Sequence, residues 1–298
     1  MKKTLLILIV FLMIFSMMFL VPSGTLIETA FAESYTPIPL DATKGGMPLA
    51  SGYSADGLSY QDETISVNIR TDRAYNTTIY LATIQIKDPS QIRTAMAGRY
   101  GSGAKTRASN IATRAQSVFA INGDFFNFDN YGFLVRQGHL YRNRPRKDFD
   151  ILIIDDKGDF HIIREATAEK CEAFPGTVIN SFSFGPALIV DGEPVESDYI
   201  QMNIGYNKAT QRMVVSQTAP LTYLCVATEG PENTNSVGLT LPEIRAYMDS
   251  LDVIHAYNLD GGSSSTMVFQ NEKINSLSSG KIRYVCDILY FATMLNQE

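Results

Sequence analysis

The segment "TTIYLATIQIK" (77–87) constrains the fold more than any other: apolar and β-branched residues alternate with polar ones over ten residues. A period of two puts every second side chain on one face, which is the pattern of a half-buried strand. Similar segments recur. "TISVNIR" (64–70) alternates, "FDILIIDDKGDFHIIR" reads as two strands about a turn at Asp156, Lys157 and Gly158, and "ALIVDGEPV" reads as a hairpin turning at Asp191-Gly192. "QRMVVSQ", "LTYLCVAT", "VIHAYNL", "STMVFQN" and "RYVCDILYF" follow.

Helical patterns are fewer. "TRASNIATRAQ" (106–116) predicts one helix. "TLPEIRAYMDSL" (240–251) predicts another, with Thr240 and Glu243 as a capping box and Ile244, Tyr247, Met248 and Leu251 on one apolar face. Regular βαβ alternation is absent. The expectation is an α+β fold: a mixed, largely antiparallel sheet core with a few packed helices, in a single catalytic domain.

The N-terminus lies outside that pattern. Lys2 and Lys3 precede an apolar run from Leu5 to Val21 broken only by Ser16, and "AFA" (30–32) has the small-x-small form of a signal-peptidase site. Residues 1–32 therefore read as a signal peptide cleaved after Ala32, or as an uncleaved N-terminal anchor. Either implies a secreted or extracytoplasmic protein. Residues 33–62 are rich in Gly, Pro and Ser and read as a flexible arm or linker, with the folded domain over 63–298.

The net charge of −6 becomes −7 once Lys2, Lys3 and Glu28 are removed. That balance gives no support for nucleic-acid binding. Cys171, Cys225 and Cys286 are widely spaced with no CxxC, and His139, His161 and His255 are isolated. Neither a zinc knuckle nor a disulfide framework is indicated.

Four stretches interrupt the strands with polar and small residues. In "FAINGDFFNFDNYGFLVR" (119–136), a strand ends at Asn122, Gly123 and Asp124, and Phe125, Phe126, Phe128 and Tyr131 then crowd a short loop before Arg136. The bland reading is a hydrophobic plug; the functional one is a carboxylate beside an aromatic platform for a sugar. In "SFSFGPALIV", Gly185-Pro186 permits a sharp bend. Arg212 heads an apolar strand, and Glu229 lies past the end of the next.

The fourth, "YNLDGGSSSTMVF" (257–269), reads as strand, tight polar turn and strand, far longer than a hairpin needs. Asp260 supplies charge and Gly261 and Gly262 allow close backbone approach. Successive N–H groups there, with Ser263, Ser264 and Ser265, resemble an anion nest suited to a phosphate ester.

Taken in order, these stretches resemble the phosphodiester glycosidase family, and most closely its secreted bacterial members, often labelled exopolysaccharide-related. The matching segments are "AINGDFF" (120–126), "GFLVRQGHLY" (132–141), "FGPALIVDGEPV" (184–195), "QRMVVSQT" (211–218), "GLTLPEIRAYM" (238–248), "NLDGGSSSTMV" (258–268) and "GKIRYVCDILYF" (280–291). One departure is Glu229-Gly230-Pro231, where many members carry Asp-Gly followed by Arg.

The resemblance implies cleavage of the bond between a sugar's anomeric carbon and a bridging phosphate oxygen. The leaving phosphate monoester is a weak base, so holding its charge matters more than protonating it. Arg136, Arg212 and Arg283 are the candidate phosphate cations. Asp260 is the first candidate for nucleophile or base, with Asp124 and Glu229 as further catalytic acids and Asn122 and Asn258 as amide contacts. No cofactor is required; a divalent cation bridging Asp260 and phosphate is compatible with the turn, although no ligand spacing demands one. The implied partner is a phosphodiester-linked sugar or glycan polymer, with no nucleic acid, and a membrane only through the N-terminal run. A binding module without turnover, or a phosphodiesterase cutting the P–O bond, would use the same residues.

Overall fold

Among the described residues the alternating segments assemble into four antiparallel sheets. The computed structural model describes residues 35–128, 130–146, 149–196, 205–231, 235–275 and 282–295; the apolar run 5–21 and "AFA" lie outside them. Among the described residues no helix is long and apolar enough to cross a membrane. Tyr35–Glu298 forms one compact unit.

The largest sheet has eight strands, in the order Ser59–Gln61, Ile65–Ala74, Thr77–Ile86, Thr222–Thr228, Met213–Ala219, His255–Leu259, Ala187–Val190 and Glu193–Pro194. A five-stranded sheet runs Glu272–Lys273, Met267–Phe269, Phe119–Asn122, Asp287–Phe291 and Ile92–Met96. A three-stranded sheet (Val178–Phe182, Ile151–Asp155, Phe160–Ile163) and the hairpin Gly132–Arg136 with His139–Arg144 complete the set.

The period of two decides what packs where. Ala82, Ile84 and Ile86 enter a core shared with Phe119, Ile121, Leu289 and Phe291 of the five-stranded sheet and with Leu152 and Phe182 of the three-stranded one. Ile79 and Leu81, on the opposite face, pack under the helix Leu241–Asp249 through Ile244 and Met248. That helix carries the expected capping box, with the Thr240 hydroxyl accepting from Glu243 N–H and the Glu243 carboxylate accepting from Thr240 N–H at 2.8 Å. The other predicted helix spans Ala108–Arg114 and covers the five-stranded sheet. The short helix Ala168–Glu172 carries too little periodicity to have been anticipated.

The segment read as a flexible arm, 33–62, is instead packed against the domain from Tyr35 onward. Ile38 and Tyr60 are buried. The buried Arg93 donates to the carbonyls of Pro39 at 3.1 Å and Ala42 at 2.8 Å, and its Nε donates to the Tyr290 hydroxyl at 3.1 Å. The segment is held through its backbone carbonyls, which leave no periodic trace in the side chains.

Candidate active site

Register brings the marked residues to one end of the large sheet. Met213 pairs with both Ala227 and Leu259. Asp260, Arg212 and Glu229 therefore lie just past three neighbouring strand ends. Ala187 pairs with Tyr257, which brings Gly185-Pro186 to the same end. Asn258 N–H donates to the Pro186 carbonyl at 3.0 Å and Asn258 Nδ2 to the Gly185 carbonyl at 2.8 Å.

The turn after Asp260 is not a hairpin. His255–Leu259 belongs to the eight-stranded sheet and Met267–Phe269 to the five-stranded one, so "DGGSSST" carries the chain from one sheet to the other. This accounts for its length. Asn122 closes the seam: its Nδ2 donates to the Asp260 carbonyl at 2.8 Å, and its Oδ1 accepts from Thr266 N–H at 3.0 Å.

The glycines meet the two expected demands. A Cβ on Gly261 would lie 2.6 Å from the Gln211 carbonyl oxygen, and Gly262 has φ +59°, where a side chain is strained. The anion nest, however, is largely occupied by the turn itself. Gly262 N–H donates to the Gln211 carbonyl, Ser264 N–H to Gly261 and Ser265 N–H to Gly262. The last two of these bonds form because residues 262–264 wind into a single 3₁₀ turn, and the first ties the turn to the start of the neighbouring strand. The Ser265 hydroxyl is likewise engaged, donating to the Arg212 carbonyl at 3.0 Å.

What remains open is a set of side-chain atoms. Asn258 Oδ1, Asp260 Oδ2, Ser264 Oγ and Thr266 Oγ1 are all buried without a hydrogen-bond partner. Buried polar atoms are almost always paired, so four on one nine-residue stretch mark a binding or reacting site. Burial raises the Asp260 carboxyl above the ordinary range. Ser264 and Arg283 pull it back in part, although the Ser264 hydroxyl stops short of hydrogen-bond geometry. Arg283 is exposed beside the turn, its N–H donating to the Ser263 carbonyl at 3.2 Å.

The other two acids are committed. Asp124 Oδ1 accepts from Arg136 Nη2 at 3.0 Å and its Oδ2 from Ser183 N–H at 2.9 Å. Glu229 accepts from the Tyr80 hydroxyl at 3.0 Å and the Ser236 hydroxyl at 2.6 Å.

Two of the three candidate phosphate cations are also turned toward protein. Arg136 Nε and Nη2 donate to Asp287 Oδ2 at 3.0 and 2.6 Å, Nη2 also donates to Asp124, and Nη1 donates to the carbonyls of Val135 and Ser181. All five guanidinium N–H groups are thereby occupied, leaving none for a phosphate. Burial opposes this charge, but Asp124 and Asp287 outweigh it and raise the pKa. Arg212 Nε donates to the Leu239 carbonyl at 2.9 Å and Nη2 to those of Gly205 and Lys208; burial brings it down to about 10.

Asp287 is the member of this group that the sequence reading passed over. Its signal was a single carboxylate inside the apolar run "YVCDILYF". Burial holds it above the usual carboxylate range despite Arg136. Gly123 N–H donates to the Asp287 carbonyl at 3.1 Å, and a Cβ on Gly123 would collide with the Asp287 carboxylate. Gly123→Ala is therefore expected to lose about 1–3 kcal/mol of stability, read as a lower urea midpoint. An unchanged midpoint would mean that Asp287 moves aside freely.

The aromatic loop divides into a buried and an exposed part. Phe126 is buried against Leu134 and Cys286. Phe125 and Phe128 stack with centroids 5.3 Å apart, and Phe128 is 76% exposed. Cys171, Cys225 and Cys286 are buried free thiols. Among the described residues no group of three or more His, Cys, Asp or Glu is arranged to hold a metal ion.

This architecture has known counterparts. The catalytic domain of zebrafish N-acetylglucosamine-1-phosphodiester alpha-N-acetylglucosaminidase, auto-inhibited by its pro-peptide, superposes with a TM-score of 0.64 at 16% identity, covering 84% of this chain and 87% of that one. A hypothetical protein from Synechocystis gives 0.51 at 15% identity over 76% and 62%. A putative exported protein from Burkholderia pseudomallei K96243 gives 0.50 at 17% identity over 73% and 74%. At these identities the likeness establishes the fold. A search of curated protein sequences finds no match. The phosphodiester glycosidase family model matches residues 115–292, more than half the chain and the whole of the seam between the sheets, and the chain belongs to that family.

Proposed function

We propose that the chain is an exported hydrolase that cleaves the glycosidic C–O bond of a sugar-1-phosphodiester, such as an N-acetylglucosamine-1-phosphodiester in an envelope or extracellular glycan. The observation that carries this reading is the Asp260 carboxylate, the one among the three candidate acids with a buried oxygen, Oδ2, left without a partner. A carboxylate whose pKa is raised by burial is the better base or nucleophile once ionised. Asp260 attacks the anomeric carbon or activates the water that does. Arg283 stabilises the charge gathering on the departing phosphate, for which no strong proton donor is needed. Asn258, Ser264 and Thr266 offer hydroxyl and amide contacts to the sugar phosphate. Asp124, Asp287 and Arg136 form the wall behind them. Export is supported by the N-terminal run and the "AFA" site.

Hydrolysis of a synthetic N-acetylglucosamine-1-phosphodiester in oxygen-18 water tests the reading. Label in the released sugar is the expected result. Label in the phosphate would make the protein a phosphodiesterase, and binding without released sugar would make it a binding module.

A further inference from the structure

Charge is distributed unevenly along this acidic chain. Between Arg99 and Lys147 the sequence holds nine Lys or Arg against two Asp or Glu, in a protein of net charge −6. Several of these cations meet at the surface beside the candidate site, each against an aromatic ring. Lys105 Nζ lies 4.5 Å from the Phe125 ring centroid. The guanidinium carbons of Arg144 and Arg146 lie 5.6 and 5.8 Å from the Tyr131 centroid, and Arg146 also lies 5.1 Å from that of Phe149. Lys105, Arg144 and Arg146 are exposed, as are Phe128 and Tyr131.

The surface is pre-formed from beneath. Arg142 Nη1 donates to the carbonyls of Phe126 at 3.1 Å and Tyr131 at 2.5 Å, pinning both ends of the aromatic loop. It is also continuous with the site. Phe125 directly follows Asp124, and the bridge between Thr106 and Val285 sets Lys105 close to the exposed Tyr284 and thence to Arg283.

We infer that this cation–aromatic surface is the track on which a glycan polymer joined through phosphodiesters lies while one of its linkages occupies the turn at Asp260. Guanidinium groups pair with phosphates through planar, two-pronged hydrogen bonds. Exposed aromatic faces stack on the apolar faces of pyranose rings. Both chemistries occur side by side here, as they do in the polymer. Its cations and the rings of Phe128 and Tyr131 are exposed to solvent, which suits a long chain passing over them. The identity of the polymer rests on the substrate reading above; the surface itself does not.

Affinity of the full chain for a synthetic oligomer of N-acetylglucosamine 1-phosphate tests the inference. Arg144→Ala/Arg146→Ala is compared with wild type, while turnover of the small synthetic phosphodiester is followed in parallel. The expected result is binding that weakens with added salt and falls at least tenfold in the variant, with small-substrate turnover unchanged. Arg144→Glu/Arg146→Glu weakens it further. Equal binding by wild type and variant overturns the inference. So does equal binding of a neutral dextran, or tighter binding to phosphatidylglycerol vesicles than to the oligomer. Arginine-dependent oligomer binding in a protein that releases no sugar would leave the track standing and remove the hydrolase.

Discussion

Asp260→Asn is expected to lower turnover of a sugar-1-phosphodiester by about 10³-fold or more, the usual effect of removing the reacting group, and to stabilise the fold at neutral pH. The two effects share one origin. Asp260 is buried with Oδ2 unpartnered, and its carboxyl is raised above the ordinary range. The native state therefore binds this proton more tightly than the unfolded chain does. Stability declines as pH rises from the unfolded value, about 3.9, through the raised native one. Asparagine has no charge to bury, so the stability difference between variant and wild type is small below about pH 4 and grows as pH increases through that window. Asp287 is also raised, but it is common to both proteins and cancels in the difference. Urea midpoints at low and neutral pH, measured beside turnover, check the claim. A folded variant with near-normal turnover would remove Asp260 from catalysis.

Arg136→Met is expected to cost about 3–5 kcal/mol of stability, the range for removing one partner from a buried ionic group. Two buried carboxylates, Asp124 and Asp287, would be left facing each other without a cation. The carbonyls of Val135 and Ser181 would lose their donor as well. The loss shrinks on acidification, because protonating Asp287, already raised by burial, removes part of the uncompensated charge. Adding Asp287→Asn to Arg136→Met recovers part of it. A urea midpoint within error of wild type at neutral pH would show that the guanidinium is not what holds the acids together. Arg136→Lys keeps the charge but replaces a five-donor fork with a point donor, so it falls between the two.

Much of this molecule is legible in its sequence because its elements announce themselves by period. The alternation of 77–87 announces a strand, although it is buried on both faces rather than half-buried, and the capping box at Thr240 and Glu243 marks a helix start to the residue. The site was legible as a set of interruptions. Asn122, Asp124, Asn258 and Asp260 do gather at one end of the sheets, because each lies where a strand must stop or turn. What sequence did not give was the direction in which each side chain points. Arg136 and Arg212 look like phosphate ligands when read along the chain, yet both face carboxylates or carbonyls supplied by segments remote in sequence. The N–H groups of the glycine turn were similarly claimed, those of Ser264 and Ser265 by its own 3₁₀ winding and that of Gly262 by the Gln211 carbonyl. Asp287 was hidden because its neighbours are apolar, and only the pairing of Ile288 with Asn122 shows what it stands beside.

The crossing of "DGGSSST" from one sheet to the other has a bearing on how activity is lost. Asp260 follows the end of an interior strand of one sheet, while the amide that fixes its carbonyl ends the central strand of the other. Neither sheet alone holds the proposed site. On the proposed reading, turnover is a strain gauge across the joint between the two sheets. On that reading a substitution far from any substrate that lets the sheets slide is expected to show as a catalytic defect before it shows as unfolding, and a fragment confined to one sheet is expected to lose turnover.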